Sequence, residues 1–358
     1  MKKQYQFFKN KKILITGHTG FKGSWLVFWL NNLGAKVFGY SNMPEYEPYC
    51  YNYLEIKKKL KKEKIADIRD KFKIKKFINE VKPQIIFHLA AQPLVRKSYI
   101  SPIETLETNI LGTAHLLNSC RKKKYVKSII IITTDKCYEN NEKKNYSYKE
   151  NDKMGGFDIY SSSKGSTELV VSSFRRSYEN DFKNCVISTV RAGNVIGGGD
   201  WSKDRLIPDI IKSIRKKKSI KIRYPDSIRP WQHVVEPLGG YLKLAYLSRT
   251  ILKKKYGTAW NFGPNKSSCI SVKKVLMEFK KKYKNKLRFI VPNQRFVHEA
   301  RYLSLNVDKA KKFLRWQPKW TVKKAINYTY EWYEALENKN KKKIQLLTKN
   351  QINNYMRL

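Results

Sequence analysis

The 358-residue sequence predicts an α/β fold built on a doubly wound parallel sheet. Three observations lead to this prediction. A short apolar run near the N-terminus ends at a glycine-rich turn and is followed by a helical apolar pattern. Further buried-strand patterns then alternate with helical stretches over the first 190 residues. A Tyr and a Lys four residues apart follow on a predicted helix, where both side chains share one face.

The first element is the apolar run Ile13–Ile15, which meets a glycine turn and then the helical stretch "SWLVFWLNNLG". A strand, a tight turn and a helix place backbone N–H groups and the positive end of the helix at a phosphate. The order Lys22-Gly23-Ser24 differs from a P-loop, in which glycine precedes Lys and Ser/Thr. An ordinary βα turn gives the same spacing, so the loop alone leaves phosphate binding open. The spaced glycines are Gly17, Gly20 and Gly23.

The next elements repeat the alternation of strand and helix. Apolar runs at 35–40, 85–91 and 128–134 predict buried strands, and residues 103–124 carry apolar side chains at helical spacing. The stretch "AWNFG" near residue 260 predicts a strand that returns to the same sheet. Because ligands of such sheets lie at the carboxyl ends of the strands, we expect the site there.

Composition excludes some function classes and leaves one open. Lys and Arg number 75 against 29 Asp and Glu, a net charge of +46 that would suit a nucleic-acid-binding protein. However, the lysines are spread along the chain, as an AT-rich gene would produce without any selection for nucleic-acid binding. The five Cys and five His lack metal-ligand spacing, so we expect no metal. Apolar runs are too short to span a bilayer, and no membrane partner is expected.

The chemistry-bearing pattern is Y-x-x-x-K at Tyr160 and Lys164. A lysine ammonium about 4 Å from a phenolate would stabilise it by about 4 kcal/mol at an effective dielectric constant near 20. This predicts that Lys164 lowers the pKa of Tyr160 and makes the phenol usable as a base. The pair occurs often by chance, and its value lies in the conjunction with the glycine turn and with "TTDK" at the end of a predicted strand.

Together these motifs resemble the extended short-chain dehydrogenase/reductases, the NAD-dependent epimerase/dehydratase family with a Rossmann fold. Within it, the chain is most similar to the CDP-glucose 4,6-dehydratases over about residues 11–332. The motifs that carry the resemblance are "TGHTGFKGSWL", "AAQPLVRKSY", "TTDKCYEN", "MGGFDIYSSSKG", "VRAGNVIGGGDW", "DRLIPDI", "SIRPWQHVVEPL", "WNFGP" and "HEARYLSLN".

The resemblance implies a lyase that oxidises the sugar at C4, eliminates water across C5 and C6, and returns the hydride to C6. Thr134 would hydrogen-bond O4 while Tyr160 takes its proton, and Lys164 would hold the nicotinamide ribose. Asp135 would protonate the leaving C6 hydroxyl. Lys136 stands where the related dTDP-glucose enzymes have a glutamate base. It would either take the C5 proton, for which its amine must be neutral, or position the substrate.

The resemblance also implies NAD as cofactor and a nucleotide-sugar as substrate. The strand end "VFGYSNMPE" lacks the usual acid for the ribose 2′-hydroxyl and any Arg for a 2′-phosphate, so NAD rather than NADP follows from the resemblance alone. Implied cofactor contacts are Gly17, Gly20, Phe21, Lys22, Gly23, Asp67, Ile68, Leu89, Ala90, Ala91, Gln92, Tyr160 and Lys164. Implied substrate contacts are Asn194, Arg205, Arg229 and Arg301.

The implied organisation has two domains with the active site between them. Residues 1–190 and 233–262 would form the dinucleotide-binding domain, and 191–232 with 263–338 a smaller substrate domain. Residues 339–358 read as a mobile basic tail. The resemblance also implies a homodimer or homotetramer and a cytoplasmic location. It further implies a role in supplying deoxysugars for lipopolysaccharide O-antigen.

Three alternatives stay open from the sequence. A nucleotide-sugar 4-epimerase shares the glycine turn and Y-x-x-x-K but needs no acid to expel water, so Asp135-Lys136 argues against it. A dehydratase for another nucleotide-sugar would share every motif. A nucleic-acid-binding protein on this scaffold would explain the charge and leave the catalytic pattern unexplained.

Overall fold

A seven-stranded parallel sheet forms the centre of the molecule, in the order β11-β6-β5-β4-β1-β2-β3. The computed structural model describes residues 3–44, 49–250, 253–283, 287–293, 299–337 and 340–358. The strands are β1 (Lys12–Thr16), β2 (Lys36–Ser41), β3 (Lys62–Ile65), β4 (Ile85–His88), β5 (Ser128–Ile132), β6 (Val186–Ala192), β7 (Val195–Ile196), β8 (Ile220–Lys221), β9 (Ile228–Pro230), β10 (Gln232–His233), β11 (Ala259–Phe262), β12 (Cys269–Ser271) and β13 (Phe289–Ile290).

Helices cover the sheet and fill the second half of the chain. They are α1 (Lys3–Gln6), α2 (Phe21–Asn32), α3 (Cys50–Tyr53), α4 (Ile56–Lys59), α5 (Lys71–Val81), α6 (Val95–Ile100), α7 (Pro102–Leu106), α8 (Gly112–Cys120), α9 (Ile159–Ser177), α10 (Leu206–Arg215), α11 (Val235–Thr250), α12 (Lys253–Tyr256), α13 (Val272–Lys282), α14 (Val322–Glu337) and α15 (Lys341–Arg357). Short 3₁₀ turns lie at Asp135–Cys137 and Lys266–Ser268, and π-helical turns at Glu107–Leu111 and Ala310–Leu314.

The doubly wound parallel sheet predicted from the sequence is confirmed. Strand order runs outward from β1 to β3 and then crosses back to β4, so a topological switch point lies between β1 and β4. The returning strand near residue 260 is β11, which pairs in parallel with β6. The helix predicted over 103–124 is interrupted by the π-helical turn Glu107–Leu111.

Two apolar layers sandwich the sheet because successive strand residues point to opposite faces. Ile13 and Ile15 pack into one layer and Leu14 into the other. The four isoleucines of β5 alternate in the same way, and every residue of that strand is buried. β-Branched side chains buried on both faces are typical of the interior of a parallel sheet.

Three two-stranded sheets lie beside the main sheet, formed by β7 with β10, β9 with β12 and β8 with β13. They come from residues 195–290, the part of the chain that carries the predicted substrate contacts Arg205 and Arg229. The two-domain division stays a prediction, and its boundary at residue 338 lies outside the described residues.

The expectation of a mobile tail is wrong. Helix α15 begins after Asn340, whose side chain accepts a hydrogen bond from the Lys343 amide. Ile344, Ile352 and Tyr355 are buried in the large apolar layer, because these positions fall on one face of the helix. The basic residues that suggested a tail are exposed along this helix. Among the described residues, no helix is both long and apolar enough to cross a membrane.

Candidate active site

A cavity of about 580 Å³ opens at the carboxyl ends of the central strands. Its lining combines the glycine turn, the ends of β2, β4 and β5, the start of α9, and segments 192–209 and 220–231. The volume lies within the usual range for small-molecule sites. Of the residues predicted as catalytic, cofactor-binding or substrate-binding, all except Arg301 line this one cavity.

The glycine turn has the geometry that a dinucleotide requires. Gly17 has φ +74°, and a Cβ atom there would meet the Ala90 amide nitrogen at 2.7 Å. A Cβ atom on Gly23 would stand 2.0 Å from the Gly17 carbonyl oxygen, so helix α2 packs directly against the turn. At Gly20 the nearest atom would be 3.5 Å away. The Gly20 face is therefore open toward the cavity, and a phosphate can approach the N-terminus of α2 there.

Tyr160 and Lys164 lie in the first two turns of α9. Asp158 caps this helix by accepting hydrogen bonds from the Ser161 amide and hydroxyl. The Lys164 ammonium donates to the Ile132 carbonyl at 3.2 Å, at the end of β5. Both side chains are buried and reach the cavity. The helix and the strand thus bring together groups that are about thirty residues apart in the sequence.

Protonation states around this pair differ from the prediction. Burial raises the pKa of Tyr160 to about 12, although a hydrogen bond with Thr134 and the charge of Arg205 oppose the rise. The predicted lowering of the Tyr160 pKa is wrong, because desolvation of the phenolate outweighs the positive charge of Arg205. Burial and the charge of Lys22 lower the pKa of Lys164 to about 8.

Thr134, Asp135 and Lys136 follow β5 and form the start of a 3₁₀ turn that Thr134 caps. The Thr134 hydroxyl donates to Asp135 Oδ1 at 3.1 Å. Asp135 is 3% exposed, and its Oδ2 has no hydrogen-bond partner within the described residues. Burial raises the pKa of Asp135 against the opposing charge of Lys136, which favours the protonated acid. A buried carboxyl of this kind is suited to proton donation.

The side of the cavity formed by β2, β3 and β4 carries the predicted adenosine contacts. Asp67 and Ile68 line it, and Ile68 packs against Gly112 at the start of α8. Asp67 accepts hydrogen bonds from the Arg69 guanidinium at 2.7 Å and from Asn42 at 3.3 Å. Ser41 and Asn42, at the end of β2, also line the cavity where the usual acid is missing. A hydroxyl and an amide therefore stand in that place.

Gln92 lies in the segment that joins β4 to α6. Its backbone amide donates to Asn109 Oδ1, and Asn109 Nδ2 donates to the Ser163 hydroxyl at 2.8 Å. Asn109 lies in the π-helical turn, an irregularity that is frequent at functional sites. This chain of hydrogen bonds fixes α9 against the cofactor side of the cavity.

Arginines paired with carboxylates line the remaining walls. The sequence predicted Arg205 and Arg229 but missed Arg96, Arg223 and their acidic partners, because ion pairs between distant segments leave no local pattern. Arg301 is exposed and does not line the cavity, although its carbonyl accepts from Arg229 Nη1 at 3.4 Å. Asn194 lines the cavity beside β7. The pairs are Arg205 with Asp200 at 3.1 Å, Arg96 with Asp204 at 2.6 Å, Arg223 with Glu299 at 3.0 Å and Arg229 with Glu299 at 3.8 Å.

Sequence comparison places the chain among nucleotide-sugar dehydratases. The family model described as GDP-mannose 4,6 dehydratase matches residues 14–329. CDP-glucose 4,6-dehydratase of Salmonella typhimurium is 43% identical over 333 residues, which cover 92% of either chain. dTDP-glucose 4,6-dehydratase of Shigella flexneri is 27% identical and covers 91% of this chain and 94% of its own.

Solved structures share the fold. dTDP-glucose 4,6-dehydratase of Bacillus anthracis, solved in complex with NAD, superposes with a TM-score of 0.74 at 21% identity. The alignment covers 92% of this chain and 98% of that one. UDP-glucose 4-epimerase of Thermotoga maritima, solved with UDP-glucose, gives a TM-score of 0.75 at 22% identity, covering 90% and 98%. At these identities the likeness supports the architecture and does not separate dehydration from epimerisation.

Proposed function

Because the chain belongs to the GDP-mannose 4,6-dehydratase family, we propose that it is an NAD-dependent lyase that converts CDP-glucose to CDP-4-keto-6-deoxyglucose. The observation that carries the proposal is the convergence of Thr134, Asp135 and Lys136 with Tyr160 and Lys164 in one cavity. CDP-glucose is chosen over other nucleotide-glucoses because the 43% identical relative is a CDP-glucose 4,6-dehydratase.

The chemistry that bound NAD would supply is reversible hydride exchange with carbons C4 and C6 of the sugar. The residues that would hold it are the glycine turn at its diphosphate, Asp67 and Ile68 at the adenine end, and Lys164 at the nicotinamide ribose. The open face of Gly20 and the start of α2 leave room for a diphosphate. The cavity volume is also in the range usual for small-molecule sites.

The chain's own residues would move the protons. Tyr160, in contact with Thr134, would take the proton of the sugar O4, for which the phenol must first ionise against its raised pKa. The resulting 4-keto group acidifies the C5 proton, which Lys136 would remove in its neutral form. Asp135 would deliver its proton to the departing C6 hydroxyl, and the raised pKa of this buried carboxyl suits that step. Elimination of water across C5 and C6 then gives an enone for hydride return.

The test is turnover with a panel of nucleotide-sugars. The protein is incubated with NAD and CDP-, dTDP-, UDP- or GDP-glucose, and products are followed by the alkali-induced absorbance of 4-keto sugars and by mass spectrometry. We expect CDP-glucose to lose the mass of one water and to give the keto signal. An isomer that keeps its C6 hydroxyl would identify an epimerase instead.

We further propose a homodimer, with a homotetramer as the other assembly. Ile103 on α7, Leu111 in the π-helical turn and Leu169 on α9 are exposed by half or more, and these elements pack against one another. Exposed apolar side chains on three neighbouring elements suit an interface with the same elements of a second copy. Sedimentation equilibrium at several concentrations measures the assembly, and a monomer throughout would contradict it.

The setting of the reaction is proposed on chemical grounds. The five cysteines are free thiols, which fits a reducing compartment such as the cytoplasm. A 4-keto-6-deoxy sugar is a substrate for further deoxygenation or transamination, which fits deoxysugar supply for O-antigen.

A further inference from the structure

A buried carboxylate outside the cavity ties the two catalytic elements together. Glu168 lies on α9 with 4% of its side chain exposed. Its Oε1 accepts from the Thr133 hydroxyl at 2.6 Å and from Arg191 Nε at 2.9 Å. Its Oε2 accepts from the Thr189 hydroxyl at 2.5 Å. Thr189 and Arg191 belong to β6, and Thr133 directly follows β5.

The arginine partner extends this contact into the second half of the molecule. Arg191 Nη1 donates to the Tyr138 hydroxyl at 2.7 Å and to the Glu150 carbonyl at 3.1 Å. The Tyr138 hydroxyl donates in turn to Asn261 Oδ1 at 2.8 Å, on β11. The guanidinium also lies 4.8 Å from the centre of the Tyr138 ring. Both members of the ion pair therefore make further hydrogen bonds to their surroundings.

The position of Glu168 relates this network to the site. Glu168 follows Lys164 by one helical turn. Its hydrogen-bond donor Thr133 directly precedes Thr134. One carboxylate therefore fixes both the helix that presents Tyr160 and the strand end that presents Thr134. A small shift between these elements would change the contact between the two hydroxyls that act on the sugar O4.

We propose that Glu168, clamped by Arg191, is a positioning residue that holds α9 and the end of β5 in the register needed for proton transfer at O4. This inference rests on the proposed function. It assigns to Glu168 no contact with substrate or cofactor, because the residue does not line the cavity.

The alternative is that the ion pair serves stability alone. Buried ion pairs contribute little net stability over apolar replacements of the same size, although breaking one partner is costly. The hydrogen bond from Thr133 to Glu168 joins the two catalytic elements, and three more hold the ion pair on β6 and at Tyr138, which favours a role in geometry. The two roles are separable, because a purely structural residue changes the amount of folded enzyme and leaves its pH dependence unchanged.

Glu168 also acts on Lys164 through its charge. The groups that face the Lys164 ammonium are Lys22 from α2, Cys137 from the 3₁₀ turn, His88 from β4 and Glu168. Lys22 lowers the pKa of Lys164, whereas Glu168 and Cys137 raise it. Loss of the carboxylate charge should therefore move the titration of Lys164 to lower pH.

The experiment compares Glu168→Gln and Thr133→Val with wild type and with Glu236→Gln, a buried carboxyl variant remote from the cavity. We expect Glu168→Gln to lower kcat at least tenfold with little change in KM, and to move the alkaline limb of kcat/KM to lower pH. Thr133→Val keeps the ion pair and removes one hydroxyl, so we expect a folded enzyme with kcat lowered about threefold to tenfold. Wild-type kcat in both variants would overturn the inference.

A second readout is independent of turnover. Competitive acetylation with peptide mapping measures the midpoint of Lys164 titration in each protein. We expect a lower midpoint in Glu168→Gln than in wild type and an unchanged midpoint in Glu236→Gln; equal midpoints in all three would contradict the coupling. Absence of a 4-keto product from wild type would overturn the proposed function instead, and the acetylation result would still decide whether Glu168 controls Lys164.

Discussion

Replacement of Glu236 by Gln should stabilise the protein, and the gain should depend on pH. Glu236 lies in the first turn of α11 and is 1% exposed. Its Oε1 accepts hydrogen bonds from the Lys319 and Trp320 amides, whereas Oε2 has no partner within the described residues. Burial outweighs these hydrogen bonds and raises the pKa of Glu236 from 4.5 to about 7.

The magnitude follows from the two pKa values. Below pH 4.5 the carboxyl is neutral in both states and costs nothing. Between pH 4.5 and 7 only the unfolded chain ionises, so stability is lost as pH rises. Above pH 7 the folded protein bears the full cost, about 3 kcal/mol for a shift of about 2.5 units. Glutamine keeps the acceptor for both amides and removes this cost, so we expect a gain of about 2–3 kcal/mol at pH 8.

Urea unfolding of the two proteins at pH 8 and pH 5 measures the effect. The midpoint for Glu236→Gln should lie above wild type at pH 8, and the difference should shrink to about a quarter of that size at pH 5. Glu337→Gln, an exposed change at the end of α14, provides the control and should leave both midpoints unchanged. An equal shift at both pH values, or a lower midpoint at pH 8, would refute the assignment of a buried, costly charge.

Three further variants test the site itself. Tyr160→Phe should lower turnover by about 10²–10⁴-fold while NAD still protects against thermal unfolding, and near-normal rates would remove the phenol from the mechanism. Asp135→Asn should slow loss of water more than oxidation at C4, so that reduced-nicotinamide absorbance accumulates; its absence together with full turnover would exclude Asp135 as the acid. Gly23→Ala should abolish thermal stabilisation by NAD, because the new Cβ would stand 2.0 Å from the Gly17 carbonyl oxygen; undiminished stabilisation would contradict the packing described for the turn.

Much of the fold could be predicted because local pattern and tertiary environment agree. The isoleucines of β5 are buried on both faces, as a continuous apolar run predicts. Strand β3 could not be predicted in this way, since "KEKI" has lysines and a glutamate and pairs at the sheet edge with β2. The docking of α15 was missed because its apolar positions are few among lysines and asparagines, and their burial depends on partners far away in the chain.

The candidate site was predictable where residues sit inside motifs. The glycine turn, Tyr160 and Lys164 depend on local spacing and line one cavity as a group. The direction of the Tyr160 pKa shift could not be predicted. The spacing of Tyr160 and Lys164 indicates a neighbouring charge, whereas the depth at which the phenol is buried depends on the whole fold. The ion pair between Glu168 and Arg191 was equally invisible, since it joins a helix to a strand 23 residues later.

The most direct test of the account is the product formed from CDP-glucose in the presence of NAD, measured by mass spectrometry against dTDP-, UDP- and GDP-glucose. The account predicts a CDP-sugar lighter by one water that carries a 4-keto group, with CDP-glucose turned over faster than the other three. An unchanged sugar mass with inverted C4, or no reaction with any of the four, would contradict it.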